Sequence, residues 1–308
     1  MQIGLMLEGQ YGLTWTRWQH ILEAAERLGY AFVFRSDHFT EASGPHHESL
    51  ECWVSLTYAA SQTQRIEFGS MVSPITFRHP ALLARMAAAV DDLSGGRLIL
   101  GLGAGWQERE HHNFGIPFYD FPTRYAMFEE GLEVTVRLLR SDDPVHYQGK
   151  YFSLDDAVLL PRPQRKTPIL IGGNGPTRTL PLAARYADEW NGVFISPETF
   201  KERNELLNKL CEAVARDPKA IQRSLMTKVS FFPDAAQQAQ YLAEANTTIE
   251  ALRGDGRMIA GTPEQVIEQI RAYEMSGCER IMLQWLDLDD LDGIEAMAQT
   301  VLPAFHGT

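Results

Sequence analysis

The sequence has few cysteines and no long apolar run. Its three cysteines, Cys52, Cys211 and Cys278, are odd in number and widely separated, which argues against a disulfide framework or a zinc ribbon. No apolar stretch approaches the roughly 18–20 residues that a membrane-spanning helix needs. The chain starts on an apolar, strand-like segment, MQIGLML, with no basic region before it, so we expect no signal peptide. These absences predict a soluble, cytoplasmic protein with buried, inert thiols.

Positive charge is also scarce. The 308 residues include 28 lysines and arginines against 40 aspartates and glutamates, which gives a net charge of -12. This balance disfavours nucleic acid and anionic membrane surfaces as partners. It remains compatible with an anionic cofactor, because backbone amides and a few arginines can oppose the overall field locally. Hydrophobic residues make up 44% of the chain, which is enough for a large core.

Short apolar runs alternate along the chain with amphipathic segments, the pattern of repeated strand–helix units with a parallel sheet. An irregular segment at about 142–166, with hairpin character around 147–150, interrupts this alternation, and a helical stretch is expected over 234–252. The whole chain, 1–308, is therefore predicted to form one α/β domain, a single (β/α)8 TIM barrel with a short lid-type insertion. We assign its eight strands to 3–8, 30–35, 66–72, 97–101, 168–171, 189–195, 225–232 and 280–285.

Two glycine-rich segments fall at predicted strand ends, where the active sites of such barrels lie. They read GLGAGW at 101–106 and IGGNGP at 171–176. Glycine lets the backbone approach a ligand closely and present consecutive N–H groups to an anion. A helix predicted to begin near Pro176, with Arg178 on its first turn, would favour a phosphate. The two loops together indicate an anionic or flat ligand, although tight turns alone would also explain the glycines.

Asp37 and His38 follow the second predicted strand and are the best candidates for general acid–base chemistry. Histidine titrates near neutral pH, and an adjacent carboxylate can set its tautomer or raise its pKa. The alternative is a histidine that only hydrogen-bonds a loop. Trp106 directly follows the first glycine loop, which makes it a candidate for an aromatic wall of the pocket, or else for ordinary packing.

Two histidine pairs raise the alternative of a metal-dependent hydrolase. They are His46-His47 and His111-His112, and acidic residues such as Glu108 and Glu110 lie near the second pair. Adjacent histidines on an extended chain point in opposite directions, so they seldom share one ion. The sequence also has no HExxH motif. We therefore predict no metal site.

Four segments of the chain form a recognisable set: RSDHF at 35–39, the stretch 50–117 that contains SGGRLILGLGAGW at 94–106, ILIGGNG at 169–175 and ARYADEWN at 184–191. They closely resemble the luciferase-like monooxygenases, and more narrowly the branch of that superfamily that uses the deazaflavin coenzyme F420. The likeness covers essentially the whole chain. The segment from SGGRL to GAGW is highly specific for the superfamily, and less specific for which flavin is used.

The resemblance implies that a flavin or deazaflavin ring lies in the barrel mouth. It implies a cis peptide bond, not involving proline, at Ser70–Met71 behind the ring. Asp37 and His38 would lie near the ring and the substrate, with His38 as the proton donor or acceptor. The ribityl and phosphate groups of the cofactor would lie at Gly103, Gly105, Gly172, Gly173 and Asn174.

Trp106 departs from one branch of the superfamily, because deazaflavin-dependent sugar-phosphate dehydrogenases carry a glutamate there. The resemblance therefore argues against a sugar phosphate as substrate, and it implies a homodimer. The leading hypothesis is hydride transfer between coenzyme F420 and a small organic substrate. The alternatives are an FMN-dependent monooxygenase that uses reduced flavin and O2, and a flavin-binding barrel without catalytic activity.

Overall fold

Eight parallel strands close into a barrel in the computed structural model, which describes residues 1–305. The barrel follows the order β1-β2-β3-β5-β8-β9-β10-β12, and β12 pairs with β1 to close the ring. All eight predicted barrel strands are confirmed, with shifts of a few residues at their ends. The strands in chain order are β1 (Gln2–Leu7), β2 (Phe32–Arg35), β3 (Glu67–Ser70), β4 (Ser73–Pro74), β5 (Leu98–Gly103), β6 (Val145–Gln148), β7 (Ser153–Ala157), β8 (Ile169–Gly172), β9 (Glu189–Val193), β10 (Gln222–Phe231), β11 (Met258–Gly261) and β12 (Arg280–Trp285).

Helices surround this barrel, and side-chain caps fix where several of them begin. Thr14, Asp120 and Ser196 each accept a hydrogen bond from a backbone N–H of the first helical turn that follows. Within residues 1–305, no helix is both long and apolar enough to cross a bilayer. The helices are α1 (Trp15–Leu28), α2 (Cys52–Gln62), α3 (Pro80–Leu93), α4 (Glu108–Asn113), α5 (Phe121–Arg140), α6 (Thr179–Tyr186), α7 (Pro197–Ala213), α8 (Ala235–Glu244), α9 (Ile249–Arg253), α10 (Pro263–Met275) and α11 (Leu291–Thr300).

The interior of the barrel is a packed core and not a pore. Successive residues of a strand point alternately inward and outward, so each strand contributes every second side chain to the interior. The inward apolar side chains form a cluster separate from the main core, which lies between the barrel and the helices. Its buried members are Met6, Phe32, Phe34, Met71, Ile99, Leu170, Met226 and Met282.

A buried ion pair closes the barrel at its amino-terminal end. Arg280, Glu189 and Glu67 are each the first residue of a barrel strand. The Arg280 guanidinium lies 2.9 Å from Glu189 and 2.6 Å from Glu67, over the ring of Phe32. Burial raises the pKa of Glu189, and the charge of Arg280 opposes that rise. Charged side chains therefore occupy the amino-terminal end of the barrel.

Replacing Arg280 with alanine is expected to lower the free energy of unfolding by about 3–5 kcal/mol, because the substitution leaves Glu189 buried without a partner. Chemical denaturation followed by circular dichroism measures this loss. Arg257→Ala is the matched control, since Arg257 pairs with Asp255 at the exposed surface. A loss near zero for Arg280→Ala would contradict the assigned role of this pair.

The insertion forms the antiparallel hairpin of β6 and β7, as its sequence indicated. The Glu130 carboxylate, on α5, accepts hydrogen bonds from the backbone N–H groups of Lys150 and Tyr151 at 2.9 and 2.8 Å. The Phe152 ring packs edge-on against His79 at the start of α3. The hairpin therefore braces the outside of α3 and α5, and it contributes no residue to the cavity at the barrel mouth. The expected lid-type position of this insertion was wrong.

Two further predictions differ from the structure around 234–261. The helical stretch expected over 234–252 is divided into α8 and α9, because Asn246 adopts a left-handed conformation with a φ of 46° and Thr248 caps a new helix. Strand β11 was not predicted. It pairs in parallel with β10 outside the barrel ring.

Candidate active site

A cavity of about 340 Å³ opens at the carboxyl ends of the barrel strands. Strands β3, β5, β8 and β9 each end at its wall, β10 contributes Met226 from its middle, and the wall is mostly apolar. Of the eleven residues predicted from the sequence, seven line this cavity and four do not. The seven are His38, Met71, Gly103, Gly105, Trp106, Gly172 and Gly173, and the wall is completed by Val72, Pro74, Ala104, Val193 and Met226.

Bare backbone forms two sides of this cavity. A Cβ atom on Gly103 would lie 2.5 Å from Cγ2 of Val72, a distance that real Cβ atoms do not reach. Gly173 has a φ of +126°, in a region that residues with side chains rarely adopt. Glycine is therefore required at both positions, by close approach in one case and by conformation in the other. The resulting flat walls suit a planar ring.

The cis peptide bond that does not involve proline lies at Met71–Val72, so the expected position at Ser70–Met71 was wrong by one residue. The Met71 N–H still donates to the Arg35 carbonyl at 2.7 Å. Because this hydrogen bond keeps Met71 in register with β2, the chain leaves the sheet only after Met71. Met71 and Val72 both contact the cavity, whereas Ser70 does not.

His38 faces the cavity and is hydrogen-bonded to Glu110, a residue that the sequence suggested only as a metal ligand. Nδ1 of His38 lies 2.8 Å from Oε1 of Glu110, and Oε2 of the same carboxylate accepts the Phe39 backbone N–H at 2.8 Å. Glu110 is fully buried on α4. Because a carboxylate accepts, Nδ1 carries the proton, and Nε2 is the nitrogen available to a ligand.

The environment raises the pKa of His38. Burial lowers it, but the hydrogen bond and the charge of Glu110 outweigh burial, with smaller contributions from the charges of Glu8 and Asp37. The Trp106 ring stands edge-on to the imidazole, with 5.5 Å between ring centroids. Trp106 is itself 64% exposed, so it flanks the cavity from the solvent side. The arrangement gives an imidazole that can hold or release a proton beside an apolar wall.

Replacing Glu110 with glutamine is expected to lower the pKa of His38, because the substitution removes the charge that favours the imidazolium. A pKa raised by folding stabilises the fold below the ordinary pKa of 6.5, and that stabilisation is lost as the pH rises through the folded pKa. The variant should therefore lose more unfolding free energy in acid than in alkali. NMR titration of the imidazole measures the pKa. Glu108→Gln, on the exposed side of α4, should leave the His38 titration unchanged.

Asp37 does not contact the His38 ring, contrary to the expectation that it would set the tautomer. Its carboxylate is buried, lies 2.6 Å from the Arg78 guanidinium and accepts a 2.7 Å hydrogen bond from Ser73. Arg78 in turn reaches Glu51 at 2.6 Å. Asp37 therefore positions the turn after β3. His38, the next residue, faces the cavity because adjacent residues of an extended segment point in opposite directions.

Ser70 and Asn174 hold the walls without lining the cavity. The Ser70 hydroxyl donates to the Gly101 carbonyl at 3.1 Å and so ties β3 to β5. The Asn174 amide donates to the Val193 carbonyl at 2.7 Å and accepts the Val193 N–H at 2.9 Å. This double hydrogen bond continues the pairing of β8 with β9 beyond the strands. Both side chains support residues that do contact the cavity.

Residues 2–252 match the family model of the luciferase-like monooxygenases. The match covers most of the chain and includes each of the strand ends described above. This protein belongs to the luciferase-like monooxygenase family.

Several proteins with named activities are similar to the chain. It is 29% identical to an F420-dependent glucose-6-phosphate dehydrogenase of Beutenbergia cavernae, over 87% of this chain and 78% of the relative. It is also 29% identical to the F420-dependent hydroxymycolic acid dehydrogenase of Mycobacterium tuberculosis, over 85% and 69% of the two chains. The solved structure of an F420-dependent secondary alcohol dehydrogenase bound to an F420–acetone adduct aligns with a TM-score of 0.84, covering 98% of each chain at 24% identity.

The histidine pairs of this luciferase-like chain do not form a metal site in residues 1–305, where no group of three or more potential ligands could hold an ion. His111 is buried, with Nδ1 2.7 Å from the Gln107 carbonyl and Nε2 2.8 Å from the Thr76 hydroxyl. Burial lowers the pKa of His111. Since both ring nitrogens are already hydrogen-bonded, His111 holds the segment after β5 in place.

Arg178 also lies outside the mouth cavity of this luciferase-like barrel. Helix α6 begins at Thr179 and not near Pro176, and the Arg178 guanidinium extends over the rings of Phe121 and Tyr125 on α5. Arg178 is therefore not among the residues that line the mouth cavity, and its contact with a cofactor phosphate stays a prediction. Arg178 instead lines a separate hollow between α5 and α6.

Proposed function

We propose that the protein is a coenzyme F420-dependent oxidoreductase that interconverts a small organic alcohol and its carbonyl compound. The observation that carries this proposal is a flat, glycine-walled cavity that the His38–Glu110 pair faces from one side. Relatives over most of the chain have the same cofactor dependence, and their names describe dehydrogenases. The apolar Trp106 at the rim favours an uncharged substrate over a sugar phosphate.

The residues present fit a deazaflavin ring. Gly103 presents no side chain to the cavity at the end of β5. Gly172 and Gly173 likewise present none at the end of β8. Met71 and Val72 would support one face of the ring, and Ser70 and Asn174 would hold these walls in place. When bound, coenzyme F420 supplies a carbon that accepts or donates a hydride.

The chain's own residues supply the proton chemistry. When a hydride leaves the carbinol carbon, the hydroxyl proton must be removed, and Nε2 of His38 is the base that takes it as the C=O bond forms. Glu110 keeps Nδ1 protonated, orients the ring and stabilises the imidazolium. In the reverse direction the same imidazolium returns the proton to the carbonyl oxygen. Asp37 acts through the turn after β3 and positions His38.

Titration of the purified protein with coenzyme F420 and with FMN, followed by fluorescence and absorbance, tests the cofactor. We expect saturable binding of F420 and much weaker binding of FMN. A panel of primary and secondary alcohols then tests turnover, measured as loss of the visible absorbance band of oxidised F420. Tight FMN binding with negligible affinity for F420 would overturn the proposal and favour the FMN-dependent monooxygenase.

We propose that this single-domain chain works in the cytoplasm as a homodimer. Two large apolar side chains support a protein–protein contact: Val54 on α2 and Leu82 on α3 are 56% and 52% exposed, and the two helices pack side by side. Three free, buried cysteines suit a reducing compartment. Light scattering should give twice the chain mass, and the variant with Val54→Glu and Leu82→Glu should give the mass of one chain.

A further inference from the structure

The side of the barrel mouth opposite the glycine walls is polar. Around the ring of strands, β10, β12 and β1 are neighbours, and β2 and β9 separate them from β3, β5 and β8. Each of these three strands contributes one methionine to the interior cluster, namely Met226, Met282 and Met6. Because the side chains of a strand alternate, the residues two positions further also face inward. These residues form what we call the polar layer, and they are Lys228, Gln284 and Glu8.

Glu8 and Gln284 are joined by a hydrogen bond within this polar layer. Nε2 of Gln284 donates to Oε1 of Glu8 at 2.5 Å, and Nε2 of Gln10 donates to Oε2 of Glu8 at 2.8 Å. The Gln10 side-chain carbonyl in turn accepts the Ser36 hydroxyl at 2.6 Å. Both oxygens of Glu8 are therefore already hydrogen-bonded. The orientation of the Gln284 amide is also fixed, because a carboxylate accepts and so selects the nitrogen end.

The oxygen end of the Gln284 amide has no partner. Its Oε1 atom is buried and accepts no hydrogen bond within residues 1–305, and the whole residue is only 5% exposed. A buried carbonyl oxygen without a donor costs folding free energy, so its retention needs a reason. Lys228 is the register partner of Gln284 on β10 and is exposed, so the polar layer borders the solvent at the mouth. A ligand that enters the mouth can supply the missing donor.

The polar layer lies close to the histidine that transfers the proton. The hydroxyl of Ser36 belongs to the same hydrogen-bond network, and Ser36 is two residues from His38, a length of chain that spans at most about 7 Å. The charge of Glu8 contributes to the raised pKa of His38. Met226 lines the same cavity as His38. One small molecule can therefore reach both Nε2 of His38 and the polar layer.

We propose that the substrate is a small, neutral alcohol with a second hydroxyl group, which donates a hydrogen bond to Oε1 of Gln284. The inference rests on the proposed function and gives its substrate class. A substrate carboxylate would lie against the charge of Glu8 and would leave Oε1 of Gln284 without a donor. A substrate ammonium would find both oxygens of Glu8 already hydrogen-bonded and would lie near the like charge of Lys228. Glu8 is a positioning residue, because it acts through the Gln284 amide.

The test compares pairs of alcohols that differ by one group. In 1,2-propanediol a hydroxyl stands where 2-butanol has a methyl group, and 1,3-butanediol and 2-pentanol form the same pair at the next spacing. Steady-state reduction of coenzyme F420 gives kcat/KM for each alcohol. We expect at least one diol to exceed its matched alcohol by about 10- to 100-fold, because a site with a buried acceptor rejects the analogue that lacks the donor.

Variants of the polar layer assign this preference to one atom. Gln284→Leu removes the acceptor, and the ratio of the two kcat/KM values is expected to fall to about one. Gln284→Met, which keeps an unbranched chain, is a second variant with the same expected ratio. Glu8→Gln no longer fixes the orientation of the Gln284 amide, and we expect the ratio to fall several-fold. Gln299→Leu, on the exposed side of α11, is the matched control and should keep the full preference.

An NMR titration provides a readout that needs no turnover. The side-chain amide signals of Gln284 can be identified by their loss in Gln284→Leu. They are expected to shift when the preferred diol is added to the unmodified protein and to stay in place with the matched alcohol. Shifts of equal size with both compounds would contradict the assigned hydrogen bond.

The outcomes separate this inference from the proposed function. Equal kcat/KM for the diols and their matched alcohols, or a diol preference that survives in Gln284→Leu, would overturn the inference and leave the F420-dependent oxidoreductase intact. Faster turnover of 1-amino-2-propanol than of 1,2-propanediol would also overturn it, since that result would assign the polar layer to a cation. No reduction of F420 by any alcohol would overturn the proposed function and this inference with it.

Discussion

Replacing His38 with alanine is expected to reduce kcat by about 10²- to 10⁴-fold, the usual contribution of a positioned general acid or base. The substitution removes the nitrogen that takes the hydroxyl proton. The affinity for coenzyme F420 should change little, because His38 forms only one edge of the cavity and the glycine walls remain. Steady-state turnover with an alcohol from the panel, and F420 titration of the same sample, measure the two quantities separately.

His112→Ala is the matched control for this experiment. His112 lies on α4 close to Glu110, but its side chain is exposed and its Nε2 lies 3.8 Å from Glu108. Its removal should leave kcat unchanged. Unchanged turnover in His38→Ala would remove His38 from the mechanism and favour a flavin-binding barrel without catalytic activity. Loss of F420 binding in parallel with kcat would assign His38 to binding instead of proton transfer.

Adding a single methyl group at Gly103 is expected to weaken F420 binding about 10- to 100-fold. The new Cβ atom of Gly103→Ala would lie 2.5 Å from Val72, so Val72 must move into the space that the ring occupies. Overpacking of this kind costs about 1–3 kcal/mol, and each 1.4 kcal/mol corresponds to a tenfold change in Kd. Fluorescence titration measures the change.

Combining Gly103→Ala with Val72→Ala should restore much of the lost affinity, since it returns the space that the added methyl group takes. Val72→Ala alone provides the reference for the loss of the valine side chain. If the double variant binds F420 no better than Gly103→Ala, the wall between β5 and the cis peptide bond is not the surface that holds the ring.

Most of the fold could be predicted from local patterns. Barrel strands such as β1, β2, β5 and β8 contain continuous apolar runs because they are buried on both faces, and that pattern is visible without knowing their neighbours. The glycine loops at Gly103 and Gly173 were visible for the same reason, since close approach and positive φ each require glycine at one defined position. Strand β11, with the sequence MIAG, was missed because it lies between a glycine-rich turn and a helix and adds a strand outside the eight strand–helix units.

The partner of His38 could not be predicted, because Glu110 is 72 residues away in the sequence. Asp37 was the nearer carboxylate, yet it turns away to Arg78 and Ser73. The only sequence signal for Glu110 was an acidic residue four positions after Trp106 in a short helix. That signal identifies Glu110 as the partner of His38 only once the tertiary structure shows that the end of β2 lies against the segment after β5.

The sequence by itself determined that this chain forms a parallel barrel, that its mouth is walled by glycine backbone and that a histidine lies at the rim. These features depend on the alternation of residues and on the conformational needs of single residues, which are local properties. Only the tertiary structure decided which carboxylate sets the proton on that histidine, which peptide bond is cis and where Arg178 points. Those depend on the register between strands and on the packing of helices, which bring together side chains that the sequence separates.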